Sequence, residues 1–272
     1  MNMKKLFAII LAALMVFTVV SCGKDEEAKL GDGQGNGALV YANLTYQVND
    51  NGTYEITGCT ASGTGDVAVI IPSEIDGRDV TGIAPEAFKA LKTLTSVTFA
   101  EPCHIEYIGD AAFYECDGLT AIELPNSLVS LGDDAFEKCD KLASVKLSTA
   151  LTEIPDYAFM GCGALSGIEL HEGLTSIGVG AFMDCGSITS ITIPASVTEL
   201  GDCAFYNWDA LTLVTVARES ALTEETIGQF VFERHEKPEE EPKKLLFDFD
   251  DNSGFAEYAA KNKYKKAPVA SN

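Results

Sequence analysis

Basic residues are scarce in this 272-residue chain: 19 lysines and arginines stand against 41 aspartates and glutamates, a formal net charge of −22. Such a chain repels phosphate instead of releasing counterions from it, which excludes nucleic acid as a partner. Only three histidines occur, and neither they nor the eight cysteines fall at Cys-x-x-Cys or His-x-x-x-His spacing, so a zinc site has no ligand set to build on. Asp248, Asp250 and Asn252 match the first three ligand positions of a calcium loop, but Ser253 stands where glycine is needed and Ala259 where a bidentate glutamate is needed. A turn explains that stretch better. No nucleophile motif or phosphate-cradling glycine loop occurs, and no carboxylate pair stands out from the other acids as a glycosidase would require. The chain is therefore expected not to be an enzyme and to use no cofactor or metal.

No apolar run reaches the roughly 20 residues that span a bilayer. The opening MNMKKLFAIILAALMVFTVVSCGKDEE instead reads as a lipoprotein signal peptide over residues 1–21, with Cys22 as the lipidated first residue. The alternative is a plain secretory signal cut near Ala13 or Ser21. Acyl chains contribute about 0.8 kcal/mol per buried methylene, so two or three of them anchor the chain stably to a membrane. Gly23-Lys24-Asp25-Glu26-Glu27 resembles the acidic surface-export signals of Bacteroidetes lipoproteins, which implies an outer-membrane lipoprotein facing the cell exterior. Residues 22–37, ending in Gly31-Asp32-Gly33-Gln34-Gly35-Asn36-Gly37, form the expected flexible tether.

Repetition dominates what remains. Phe88, Phe113, Phe136, Phe159, Phe182 and Phe205 are separated by 25, 23, 23, 23 and 23 residues, and an alanine precedes each. Residues 108–130 read IGDAAFYECDGLTAIELPNSLVS and residues 131–153 read LGDDAFEKCDKLASVKLSTALTE. A period of this length marks a solenoid, in which no circuit buries its apolar face alone and stacked circuits share one core. Leu119, Ile122 and Leu124 alternate as an inward strand set that Pro125 ends. Gly132 is expected to permit a tight bend, and Ala135, Phe136 and Cys139 to share one helical or 3₁₀ turn. Cys116, Cys139, Cys162 and Cys185 recur at one position in four circuits, with Leu91 and Trp208 at the equivalent sites. A position needed in every circuit is a packing position, and buried cysteine packs as a small hydrophobe. Cys59, Cys103 and Cys203 lie off this column, and a Cys59–Cys103 disulfide is left open. His171 sits in the slot of Pro125 and Pro194, His104 in the insertion after the first circuit and His235 in the charged tail. All three read as tolerated surface residues.

These repeats resemble the BspA-like leucine-rich-repeat surface proteins, marked by Ile-Gly-x-x-Ala-Phe-x-x-Cys-x-x-Leu-Thr-x-Ile-x-Leu-Pro. The resemblance implies a leucine-rich-repeat solenoid of mainly parallel strands with short helical turns over residues 66–217. Residues 38–65 then read as an N-terminal hairpin cap, in which Tyr46-Gln47-Val48 and Tyr54-Glu55-Ile56 flank an Asn51-Gly52 turn. After Val216 the register is lost. Residues 218–272 read as an acidic linker and a C-terminal cap, with a strand over 245–249 and a helix over 255–265.

Solenoids bind through their exposed strands. Alternation places Ser96, Thr98, Glu123, Ser144, Lys146, Glu169, Ser190, Thr192 and Thr215 outward, beside Ala121, Gly167 and Leu213. The resemblance implies a surface lipoprotein that binds a host matrix or surface protein, or a glycan, in adhesion. A structural spacer of the envelope is the second reading, and an enzyme acting on a glycan or peptide the third.

Overall fold

The computed structural model describes residues 44–60, 65–234, 245–251 and 253–268. The expected signal peptide and tether, with Cys22, lie outside the described residues, as does His235. The chain winds as a parallel β-solenoid of about nine turns. A typical circuit contributes a longer strand on one face, a two-residue strand on a second and a run of turns on a third.

Two parallel sheets run along the stack. The two-residue strands Tyr107–Ile108 and Ser130–Leu131 continue a sheet that begins with Tyr54–Cys59 and Arg78–Ile83. Glu153–Ile154, Ser176–Ile177 and Glu199–Leu200 carry this face onward, and Ile227 bridges to Leu200. The longer strands form the other face in three separate pieces. Val67–Ile71 pairs with Leu94–Phe99, Ala121–Glu123 with Ser144–Lys146, and Ser190–Ile193 with Leu213–Val216 and Leu246–Asp248.

The turn face corrects the expectation of short helices. A helix satisfies its amides internally, whereas here only alternate amides do so, as Cys139 N to Phe136 O at 3.3 Å, while Phe113, Phe136 and Phe159 donate their N–H groups to Ala135, Ala158 and Ala181 of the next circuit, each at 2.8 Å. The direction is set by left-handed residues four apart, such as Asp134 and Lys138, both at φ 57°. Asp110 adds a side-chain rung, its Oδ1 accepting from Asp133 N at 3.1 Å, and Asp133 accepts likewise from Asp156 N at 3.2 Å. Gly132 serves close approach instead of a bend. A Cβ there would lie 2.4 Å from Asp110 N of the circuit below.

The core is a set of columns. Phe88, Phe113, Phe136, Phe159, Phe182 and Phe205 are buried and stack in sequence, with neighbouring ring centroids 5.0 to 5.9 Å apart and planes within 9° of parallel. Phe232 extends the column at 5.5 Å from Phe205, so the repeat does not stop at Val216. Ile227-Gly228-Gln229-Phe230-Val231-Phe232 forms a further circuit, with valine where the others carry alanine. This circuit corrects the expected loss of register.

Both ends of the stack are covered. Leu44–Val48 and Tyr54–Cys59 pair antiparallel around a five-residue loop, Asn49 to Thr53, longer than the two-residue turn expected of Asn51-Gly52. At the far end Phe247 packs edge-on against Phe232 and stacks on Tyr264 at 4.3 Å. The helix Gly254–Lys261 buries Phe255, Tyr258 and Ala259. It is shorter than the expected 255–265, because Lys265–Lys266 forms a last strand against Leu246–Phe247. No helix among the described residues is long and apolar enough to cross a membrane.

Candidate functional site

Alternation decides which side chains a strand presents. In Ala121–Glu123 and Ser144–Lys146 the central Ile122 and Val145 are buried, while the flanking residues are exposed. Parallel pairing sets Ser144 beside Ala121 and Lys146 beside Glu123. Lys146 Nζ stands 3.4 Å from Glu123 Oε2, so these two candidate charges are partners of each other across the sheet. An exposed pair of this kind contributes about 0–1 kcal/mol. Ser190 aligns with Leu213, and Thr192 with Thr215, in the third piece of the face. Ser96 and Thr98 lie in the first piece beside Ala68 and Ile70.

The structure does not carry this face through unbroken. Residues 167–170 form no strand and make no backbone hydrogen bond to either neighbouring circuit, so Glu169 is exposed but not on a strand as expected. Ile168 and Leu170 are only half-buried, although their equivalents Ile122, Leu124, Ile191 and Ile193 are buried. Glycine weakens a strand, and Gly167 occupies the outward position that serine holds in the adjoining circuits. In the same circuit His171 replaces the strand-ending proline; its Nδ1 accepts from Gly173 N at 3.0 Å, and its Nε2 is buried with no partner. His104 pairs with Asp79 at 3.2 Å.

The strand expected over 245–249 forms as Leu246–Asp248, and what the sequence did not show is that it extends this face. Asp248 lies in register with Thr215, and Lys265 with Leu246, so the C-terminal strands add an exposed acid and an exposed base. Buried Phe247 between Leu246 and Asp248 was the available signal.

The cysteine column is inert chemically and specific structurally. Each thiol donates to the phenylalanine carbonyl of the circuit below: Cys116 to Phe88 and Cys139 to Phe113 at 3.1 Å, Cys162 to Phe136 and Cys185 to Phe159 at 3.2 Å. Burial pushes the Cys116 thiol up to about 12, and those of Cys139, Cys162 and Cys185 well above the ordinary range. A thiol held protonated is neither nucleophile nor metal ligand. Cys103 is a free thiol that accepts from Ser127 Oγ at 3.7 Å, so it does not bridge to Cys59. Within the acidic stretch near the C-terminus, Asp250 O accepts from Ser253 N and Oγ, and Asp251 pairs with Lys266. That arrangement is a turn into the helix.

Residues 81–212 match the BspA type leucine rich repeat region in six copies. No curated protein matches the chain. Among solved structures, a leucine rich cell surface protein of Faecalibacterium prausnitzii is 25% identical with a TM-score of 0.50, over 69% of this chain and 56% of that one. The chain thus spans little more than half the length of that relative. A leucine rich repeat protein of T. pallidum is 26% identical with a TM-score of 0.48, over 84% of this chain and 97% of that one. A leucine-rich repeat protein of Bacteroides ovatus is 21% identical with a TM-score of 0.41, over 79% of this chain and 72% of that one. The repeat body of this chain, six circuits of one template stacked on a phenylalanine column, belongs to the BspA-type leucine-rich-repeat family.

Proposed function

We propose that the protein is a lipid-anchored surface protein whose strand face binds another macromolecule, a protein or a glycan, in adhesion. Cys22 holds the lipid in this reading, residues 22–37 tether the body and residues 66–217 present the face. The observation that carries it is the parallel register. It repeats exposed hydroxyl and charged side chains, Ser144 and Lys146 on one piece and Ser190 and Thr192 on another, over a buried apolar row. A flat row of small polar groups suits an extended, polar partner better than a deep apolar anchor. The Faecalibacterium relative, described as a cell surface protein, supports the location.

The experiment is binding of residues 38–272 to host matrix proteins, mucins and bacterial surface glycans at physiological salt. A saturable partner weakened by charge reversal at Glu123, Lys146 or Glu169 is the expected result. No partner at micromolar concentration would favour the second reading, an envelope spacer, which the unbroken phenylalanine column supports as a stiff rod. Protease shaving of intact cells then separates the two, since a displayed adhesin is removed.

A further inference from the structure

The turn face, opposite in character to the strand face, carries aromatic and sulfur side chains where the fold does not require them. The column of left-handed residues two before each core phenylalanine holds Glu86, Ala111 and Asp134 in the early circuits, then Tyr157, Gly180, Cys203 and Phe230. Bulky side chains are disfavoured at positive φ by about 1–2 kcal/mol, yet Tyr157 stands at φ 55° and Phe230 at φ 59°. Core packing does not account for them, because Tyr157 is 37% exposed and Phe230 51% exposed. The fold sets the left-handed backbone at this column whatever the residue, since Ala111 and Asp134 share it. What marks Tyr157 and Phe230 is therefore a large exposed ring where the early circuits carry alanine or an acid. The Tyr157 ring lies over Gly180, within 2.7 Å of where a Cβ would stand, and Met183 borders the same spot.

This strip ends in a cleft of about 500 Å³ between the last repeat circuit and the C-terminal helix. Phe230 and Tyr258 supply its aromatic walls, and Asp202, Glu224 and Glu233 its acids, against Lys261 as the single base among the described residues. That base is already held by Glu224. One oxygen of Asp202 accepts from Gln229 N at 2.7 Å, which fixes the carboxylate at the cleft. Carboxylates beside an exposed aromatic face are the surroundings that select an organic cation over an inorganic one. The volume admits a long side chain with room to spare.

We infer that the cleft receives a lysine or arginine side chain of a partner protein, whose flanking apolar residues lie along the Tyr157–Met183–Phe230 strip. A protein segment fits better than a free polyamine because the strip from Tyr157 to Phe230 spans four circuits, at about 4.8 Å per circuit, and so runs on past the cleft that Asp202 and Phe230 line. This surface is separate from the strand face, and the inference does not depend on the reading proposed for that face.

The test is calorimetric titration of the unlipidated chain, residues 22–272, with a blocked heptapeptide of alternating leucine and lysine. Its leucine–glutamate analogue and spermidine serve as comparison ligands. One lysine peptide should bind per chain, the glutamate analogue should not bind, and spermidine should bind at least tenfold more weakly. Phe230→Asn, which removes the ring and suits the left-handed backbone, and Glu233→Gln should each weaken the peptide at least fivefold. Glu74→Gln, the same loss of charge at an exposed position near the N-terminal end of the stack, should leave binding unchanged. Thermal melts of Phe230→Asn at or above the parent's temperature would show that lost binding is not lost folding. Equal weakening by Glu74→Gln would reduce the effect to general acidity and overturn the site. Spermidine binding as tight as the peptide's would overturn the protein partner, and absence of peptide binding would overturn the inference as a whole.

Discussion

The indole N–H of Trp208 donates to the carbonyl of Phe182, in the place where the Cys185 thiol donates to the carbonyl of Phe159. Two side chains that differ in size by a ring system share one position because both are donors. Leu91 holds the same position in the first circuit, where no circuit below presents a phenylalanine carbonyl. The column is therefore defined by a buried acceptor that needs a partner, and packing as a small hydrophobe is only part of its reason.

Cys162→Val tests that account. Valine keeps the bulk and the apolar character but leaves the Phe136 carbonyl with only its backbone partner, the Cys139 N–H at 3.3 Å. Losing a buried donor costs about 1–3 kcal/mol, and the weakness of a thiol donor sets the expectation near about 1 kcal/mol. Chemical denaturation of the two proteins checks it. Unchanged stability would show that volume alone selects the residue.

Phe136→Ala removes the middle of the ring stack, 5.0 Å from Phe113 and 5.4 Å from Phe159. Truncating a fully buried phenylalanine costs about 3–5 kcal/mol. Because circuits contact only their neighbours, the loss should also divide unfolding into two steps, one for each half of the stack. A single transition at the parent's midpoint, followed by circular dichroism, would contradict the role of the column.

The columns were legible because each is local in the repeat: a residue type recurring at 23-residue spacing needs no knowledge of the rest of the chain. Ala135, Phe136 and Cys139 read as one helical or 3₁₀ turn because a spacing of one and four fits a helix equally well. The turn does close i→i+3 bonds such as Cys139 N to Phe136 O, and only the alternate amides that go to the next circuit, as Phe136 N to Ala158 O, tell it from a helix. Phe232 escaped notice since it falls 27 residues after Phe205 and follows valine. The strand break at residues 167–170 left one trace, glycine in an outward strand position. The cleft left none, since Asp202, Phe230 and Tyr258 come together only when the C-terminal helix docks.

Asp134 couples stability to pH. Burial, followed by the neighbouring Glu137 carboxyl, raises it from the ordinary carboxylate range to about 6. The folded chain thus holds a proton that the unfolded chain has released. Its contribution is present in full below the unfolded value, near pH 4, and is lost as pH rises through 6. Asp134→Asn keeps a hydrogen-bond donor toward Glu137, removes the charge and suits the left-handed φ of 57°. The variant should melt higher than the parent at pH 7, with the difference shrinking toward pH 4. A difference independent of pH would assign the gain to backbone conformation alone.

Gly167→Thr should repair the break in the strand face. The position is exposed and has no atom within 4 Å of a built Cβ, so the larger side chain meets no obstacle. Its equivalents in the adjoining circuits are Ser144 and Ser190, both in strands. Threonine favours extended backbone over glycine by about 1 kcal/mol, partly through the freedom glycine retains in the unfolded chain. The expected gain is of that size, accompanied by slower amide exchange at Ile168 and Leu170 as they join the ladder. Exchange at these two amides reads the local structure and the melting temperature reads the whole stack. A higher melting temperature with unchanged exchange would mean that threonine acts on the unfolded chain and leaves the gap open. Slower exchange at both sites would show instead that glycine was what kept the strand from forming.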